Sequence, residues 1–160
     1  MKIYIAYIAG VVLILAAVVW LGSRSSTPTT SSNDPNKPIA KVEETSFDLG
    51  TMSVKDIKEH NFTIINDGKS ELTLNNVMTS CDCTYVYIIK ADKTESPKFT
   101  MHGDNSWKTS IQPGQSATVR VVYEPAIMPV FGAVERFVMV ATNDPDHQKL
   151  EFKITAQVAE

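Results

Sequence analysis

Two cysteines separated by one residue are the part of this sequence best suited to chemistry. Cys81 and Cys83 flank Asp82, and the chain has no other cysteine. Residues i and i+2 of an extended strand point to the same face, with Cα atoms about 6.6 Å apart. Because disulfides usually join Cα atoms about 5.5–6 Å apart, a bond between this pair requires a bend in the chain. We expect such a bond to be strained and easily reduced.

Two other states of the pair stay open. Two thiolates on one face are half of a soft-metal site. Structural zinc is disfavoured because it needs four ligands and the chain has no second cysteine pair. Copper(I) accepts two or three sulfur or imidazole ligands, so the predicted copper site consists of Cys81 and Cys83 with His102 or Met101 as the further ligand. In the third state both cysteines pack as small apolar residues at a strand end.

The first 22 residues indicate the compartment of the cysteines. The segment from residue 3 to residue 22 carries no charge, and as a helix it would span about 30 Å, the thickness of a bilayer core. It is longer than a signal-peptide core and no Ala-x-Ala cleavage site follows, so an uncleaved anchor is favoured over a cleaved signal. We predict a single-pass protein of the cell membrane with an extracytoplasmic C-terminal domain, because Lys2 and the amino terminus precede the span and Arg24 follows it.

The composition divides the rest of the chain into a linker, residues 23–40, and a domain, residues 41–160. Ser, Thr or Pro occupies eleven of the sixteen positions from 23 to 38, so this stretch is expected to be a flexible tether. The remaining 120 residues suffice for one domain with a core. A net charge of −3 without a Lys/Arg cluster argues against nucleic acid as a partner.

Apolar residues alternate with polar ones through most of the domain. Turn signals such as Asn66-Asp67-Gly68 and Pro113-Gly114 separate the alternating runs. This pattern predicts an all-β fold, an immunoglobulin-like antiparallel β-sandwich of about seven strands. The apolar members of the runs are Phe62 and Ile64; Leu72 and Leu74; Val119, Val121 and Tyr123; Phe137, Met139 and Ala141; and Leu150, Phe152, Ile154, Ala156 and Val158.

A series of short motifs resembles a known bacterial family. In order they are Phe47-Asp48-Leu49-Gly50, Phe62 to Gly68, Ser80 to Thr84, Ile111 to Gln115 and Thr142 to Pro145. Over residues 42–158 the chain resembles the bacterial domain-of-unknown-function family 1573, whose members are exported immunoglobulin-like β-sandwiches similar in style to major-sperm-protein domains. The resemblance implies a fold and a location but no activity. Asp82 departs from the glycine often found between the cysteines, and the segment 85–110 is longer than usual.

No motif of an enzyme is present. The sequence lacks Gly-x-Ser-x-Gly, a phosphate-binding glycine loop and His-Glu-x-x-His, so we expect no catalysis and no cofactor apart from copper. Asp144 and Asp146 flank a proline in a turn, where acids usually cap backbone N–H groups. His60 is expected to be a histidine at the rim of a sheet or a hydrogen-bonded one in the core, and not a metal ligand. The favoured function is a tethered scaffold that binds a protein partner through sheet edges or loops. The alternative is a copper-binding or thiol-redox protein centred on Cys81 and Cys83.

Overall fold

The computed structural model describes residues 31–104 and 106–160. The predicted membrane anchor, residues 1–22, lies outside the described residues, and within them no helix is both long and apolar enough to cross a bilayer. The described residues form nine strands and one 3-10 turn, Pro125–Ile127, which lies between the seventh and eighth strands. The strands are β1 (Ala40–Val42), β2 (Ser46–Ser53), β3 (Lys58–Asn66), β4 (Leu72–Thr79), β5 (Thr84–Lys90), β6 (Lys108–Ile111), β7 (Ser116–Tyr123), β8 (Gly132–Thr142) and β9 (Lys149–Ala159).

The strands form two sheets, which confirms the all-β prediction. Sheet A has the order β1-β3-β7-β5 and sheet B the order β2-β9-β8-β4-β6. One pairing is not antiparallel as predicted, because β2 runs parallel to β9. Only three residues, Glu43 to Thr45, separate β1 from β2. The chain therefore changes sheets there without reversing its direction.

The strand count exceeds the predicted seven because some strands are too short to show a period. β1 has three residues and begins at Ala40, inside the segment predicted as linker, and β6 has four. β5 occupies the start of the segment interpreted as a long insertion, where Val86 and Ile88 are buried. Alternation is recognised over about four to eight residues, so β1 is too short for it and β6 is at the lower limit.

The predicted inward faces are buried in four of the five runs. In β8 the prediction was wrong by one residue: Phe137, Met139 and Ala141 are half-buried on the outer face, while Val138 and Val140 are buried. Both faces of β8 carry apolar residues, so alternation alone could not identify the inner one. A shift of one residue exchanges the two faces of a strand. On the observed inner face, Arg136 lies in the same series as Val138 and Val140.

The segment between β5 and β6 covers one open side of the sandwich. Phe99 exchanges two backbone hydrogen bonds of 3.0 Å with Val86 on β5. One residue later, the carbonyl of Thr100 accepts a hydrogen bond of 3.1 Å from the amide of Thr79 on β4. The ring of Trp107 packs edge-on against Phe99, with centroids 4.9 Å apart. β5 is an edge strand of sheet A, and the end of β4 near Thr79 is not paired with β6. The segment therefore forms hydrogen bonds with backbone groups of both sheets that would otherwise be unpaired.

Asp144 joins the two sheets at the end where the chain enters the domain. Its carboxylate is fully buried and accepts hydrogen bonds from the amides of Ala40 (2.8 Å) and Asp146 (2.9 Å) and from the His147 ring (3.0 Å). Burial by itself raises the pKa of Asp144, but these hydrogen bonds together outweigh it and lower the pKa below its ordinary value. The residue caps backbone N–H groups, as the sequence predicted.

Asp144→Asn tests this connection. An amide cannot replace the charged acceptor, so we expect the free energy of unfolding at pH 7 to fall by about 1–3 kcal/mol. A carboxylate with a lowered pKa stabilises the fold above its unfolded-state pKa and loses that contribution as the pH falls through the folded value. The difference between wild type and variant should therefore shrink between pH 7 and pH 3 in urea unfolding. A difference that is equal at both pH values would contradict this role. Asp67→Asn, which changes an exposed acid at the same end of the domain, is the control.

Candidate functional site

Cys81 and Cys83 form a disulfide in the turn that carries the chain from β4 to β5. Their Cα atoms are 5.4 Å apart. Only Ser80 to Cys83 lie between the two strands, which belong to different sheets. The separation is shorter than that of an extended strand, so the bend predicted for a bonded pair is confirmed.

Backbone hydrogen bonds fasten this turn to both sheets. The carbonyl of Cys83 accepts a hydrogen bond of 2.9 Å from the amide of Glu124, just after β7 in sheet A. The hydroxyl of Ser80 accepts one of 3.0 Å from the amide of Phe137 on β8, and the amide of Ser80 donates to the carbonyl of the same residue at 2.9 Å. The position of the disulfide is therefore tied to the end of β7 and the middle of β8.

The buried hydroxyl of Thr79 organises the interior of the turn. It lies 2.8 Å from the carbonyl oxygen of Cys81 and 2.9 Å from that of Thr84, so its single proton serves two acceptors. The amide of Thr84 also donates to the carbonyl of Cys81, at 3.2 Å. Thr79 and Thr84 are both buried, so these contacts satisfy polar groups on the inner side of the turn.

The two sulfurs have different surroundings. Cys83 is completely buried and belongs to the core, whereas Cys81 is half-buried at its edge. The hydroxyl of Thr84 lies 3.8 Å from Sγ of Cys81. A disulfide sulfur carries no proton, so only the hydroxyl can donate in this contact. A reagent from solvent reaches Cys81 first.

Arg136 places a positive charge against the buried sulfur. Its Nε donates to Sγ of Cys83 at 3.2 Å, and its Nη1 donates to the carbonyl of Glu135 at 2.8 Å. Its Cζ lies 5.6 Å from the ring centroid of Tyr123. Among the ion pairs between described residues none includes Arg136. A neutral disulfide does not neutralise this charge, whereas a thiolate at Cys83 would.

Sequence reasoning missed Arg136, although one signal pointed to it. The residue follows Val134 and precedes Val138 and Val140 in steps of two, so it is a charged residue in an apolar inward series. A charge at a core-facing position indicates a partner that the core must supply. The one-residue error in the predicted face of β8 hid this signal.

The other two predicted copper ligands, Met101 and His102, follow the residue that pairs with β4. The carbonyl of Thr100 accepts from the amide of Thr79, two residues before Cys81. Met101 and His102 are themselves exposed. Within the part of the chain that the structure describes, no three His, Cys, Asp or Glu side chains are grouped to hold a metal ion. The copper site stays a prediction about the reduced chain, in which both sulfurs are available.

An apolar loop lies at the same end of the sandwich as the disulfide. We name residues 127–131, which lead from the 3-10 turn to β8, the apolar loop; they are Ile127-Met128-Pro129-Val130-Phe131. Ile57 also lies at this end, since the next residue, Lys58, pairs with Tyr123 at the end of β7. The apolar loop was not predicted because an apolar run in a sequence reads equally well as core.

The family model described as "Protein of unknown function (DUF1573)" matches residues 40–102. The matched stretch includes β1 to β5 and the cysteine turn. This finding confirms the resemblance inferred from the motifs over that part of the chain. No curated protein matches the sequence significantly.

Solved structures share the fold at low sequence identity. A protein of unknown function from Porphyromonas gingivalis W83 is 20% identical with a TM-score of 0.58, and the match covers 82% of this chain and 51% of that protein, so this chain spans about half its length. The ASH/PapD-like domain 7 of human CEP192 is 14% identical with a TM-score of 0.52, covering 85% of this chain and 96% of that domain. A family 123 glycoside hydrolase from Clostridium perfringens is 8% identical with a TM-score of 0.54, over 80% of this chain and 27% of the enzyme. Such identities show a shared β-sandwich fold alone.

Replacing both cysteines by serine tests whether the disulfide stabilises the fold. In the chain-entropy description a ring of three residues restricts the unfolded chain by only about 1.6 kcal/mol, about half the effect of a 15-residue loop. We expect Cys81→Ser/Cys83→Ser to unfold in urea with a free energy lower by about 1–2 kcal/mol, including some loss of packing at position 83. A loss above about 4 kcal/mol would instead identify the bond as a main support of the fold. Thiol counting on the unfolded wild-type chain before and after reduction should give zero and two.

Proposed function

We propose that this chain, whose residues 40–102 match the DUF1573 family, is a non-catalytic protein-binding module that its N-terminal segment holds at the outer face of a cell membrane. The observation that carries the proposal is the exposure of the apolar loop. The proposed occupant of this surface is an apolar segment of another extracytoplasmic protein.

The exposed apolar side chains of the domain are concentrated at one end. Of the seven large apolar residues that are exposed among the described residues, four lie in the apolar loop: Ile127 (43%), Met128 (49%), Val130 (44%) and Phe131 (55%). Ile57, the most exposed of the seven at 59%, lies at the same end. Scattered apolar residues are normal on a surface, but a contiguous group marks an interaction site. Methionine and phenylalanine are also enriched in protein interfaces.

The apolar loop lies far from the point where the chain enters the domain. The entering residues pair with the opposite end of sheet A, where Ala40 faces Asn66 and the amide of Asp67 donates to the carbonyl of Ile39. β7 runs from that end to the loop, and its eight residues span roughly 24 Å. If the predicted anchor holds the domain by these entering residues, the apolar loop is at the end of the domain farther from the point of attachment. This placement favours a protein partner over the lipid surface.

Sheet edges contribute less to the proposed binding than the sequence suggested. The segment around Phe99 and Thr100 covers the β5 and β4 edges. At the β2 edge, the Nζ of Lys58 donates to the carbonyls of Leu49 (2.7 Å) and Thr51 (3.0 Å). Edge groups that are already bonded offer few sites for an added strand. The loop therefore supports partner binding better than the edges do.

Site-specific photocrosslinking tests the proposal. A benzoylphenylalanine placed at Val130 of the full-length chain, expressed in its native cells, should form an adduct with a second protein. Truncating the exposed anchors in Met128→Ser/Phe131→Ser should abolish the adduct and weaken binding of that purified protein at least tenfold, since a few apolar anchors carry most interface energy. Ile39→Ser, which changes an exposed apolar residue at the other end of the domain, should leave the yield of the adduct and the affinity for the purified protein unchanged.

The alternative occupants are outcomes of the same experiment. An adduct to lipid would indicate a membrane-facing loop, and an adduct to a second copy of the chain would indicate self-association. Either result, or the absence of any adduct, would overturn the proposal. A partner that binds the Met128→Ser/Phe131→Ser variant as tightly as wild type would overturn it as well.

A further inference from the structure

We propose that the Cys81–Cys83 disulfide is an exchange site that accepts two electrons from an external dithiol protein. In this exchange Cys81 is the sulfur that is attacked, Cys83 is the leaving thiolate, and Arg136 stabilises the thiolate. The proposal rests on the disulfide and its neighbours and is independent of what binds the apolar loop.

The difference in burial determines which sulfur is attacked. An incoming thiolate must approach one sulfur in line with the S–S bond, opposite the sulfur that leaves. Cys83 is completely buried, whereas Cys81 is partly exposed at the edge of the core. Solvent-side approach to Cys81 therefore pushes the electron pair of the bond inward, onto Cys83.

The charge of Arg136 makes Cys83 a good leaving group. Exchange is faster when the departing thiolate is more stable. The Nε of Arg136 already lies 3.2 Å from Sγ of Cys83, so no rearrangement is needed when negative charge forms there. Since no carboxylate is paired with this guanidinium among the described residues, the thiolate would be its anionic partner.

The exchange proceeds in two steps. In the first, a thiolate of the external dithiol forms a bond to Sγ of Cys81, the Cys81–Cys83 bond breaks, and Cys83 departs as a thiolate beside Arg136. In the second, the other thiol of the dithiol loses its proton to solvent and attacks its own partner sulfur, which releases Cys81. Cys81 then takes up a proton, within reach of the Thr84 hydroxyl at 3.8 Å. The protein disulfide is reduced to a dithiol, and the external dithiol is oxidised to a disulfide.

The small ring gives a second reason to assign exchange chemistry. Only one residue, Asp82, lies between the bonded cysteines, so the bond restricts the unfolded chain little. Polar groups nonetheless surround the pair: a guanidinium at one sulfur and a hydroxyl at the other. An arrangement that serves packing alone would need neither.

Reduction kinetics of the full-length protein test the role of Arg136. The protein is kept in a mild nonionic detergent and reduced with dithiothreitol. At each time point the new thiols are alkylated, and the masses of the products are measured by mass spectrometry to give the rate of reduction. Arg136→Met should slow the reduction roughly tenfold, and Arg136→Lys, which keeps the charge, should recover part of the rate. Arg120→Met, which removes the half-buried arginine paired with Glu95, should leave the rate unchanged. In 6 M urea all four proteins should be reduced at one rate, because the contact with Cys83 is lost on unfolding.

The site of attack has a separate readout. Brief reaction with glutathione, stopped with excess N-ethylmaleimide that captures the released thiol, should leave glutathione on Cys81 and the maleimide on Cys83. Three results would overturn the proposal: equal rates for the folded wild type and Arg136→Met, glutathione found mainly on Cys83, or reduction no faster than global unfolding. A folded Arg136→Met protein with an unchanged circular dichroism spectrum makes the rate comparison valid.

Discussion

The chain passes from sheet B to sheet A within four residues, Ser80 to Cys83, and this crossing governs the whole end of the domain. Stacked sheets lie about 10 Å apart, so a connection this short must turn sharply while its backbone groups stay bonded. The Thr79 hydroxyl satisfies two carbonyls inside the turn, and Glu124 and Phe137 hold it to both sheets. The disulfide lies within this short connection.

The same crossing brings two distinct features to one end of the sandwich. Arg136 reaches the buried sulfur from β8, and the residues leading to the apolar loop start at Glu124, whose amide donates to the carbonyl of Cys83. A change in the conformation of the turn would therefore alter the hydrogen bond between Cys83 and Glu124, and with it the start of the segment that leads to the loop. The physical link between the sulfur chemistry and the proposed binding surface is short and local.

The rest of the domain holds this end in place and protects it from unwanted pairing. The segment after β5 covers two sheet edges, Lys58 occupies the outer carbonyls of β2, and Asp144 joins the sheets at the opposite end. Unpaired edges promote aggregation of β proteins, and bonded edges leave loops as the main surfaces for recognition. Proposed binding at the apolar loop is consistent with this division.

Local periodicity and residue type were sufficient to predict the fold class, most inward faces and the place of the cysteine pair, but they left the state of that pair open. The runs that contain Phe62, Val119 and Phe152 each alternate with a period of two, which is the pattern of a half-buried strand. Three features depend on the folded chain: the parallel pairing of β2 with β9, the inner face of β8 and the contact of Arg136 with Cys83. The inner face of β8 depends on which side meets the other sheet. The other two join residues far apart in the chain: Cys83 and Arg136 are 53 positions apart and meet only after the sheets have stacked. Their contact depends on the three-dimensional path of the chain, which local patterns do not encode.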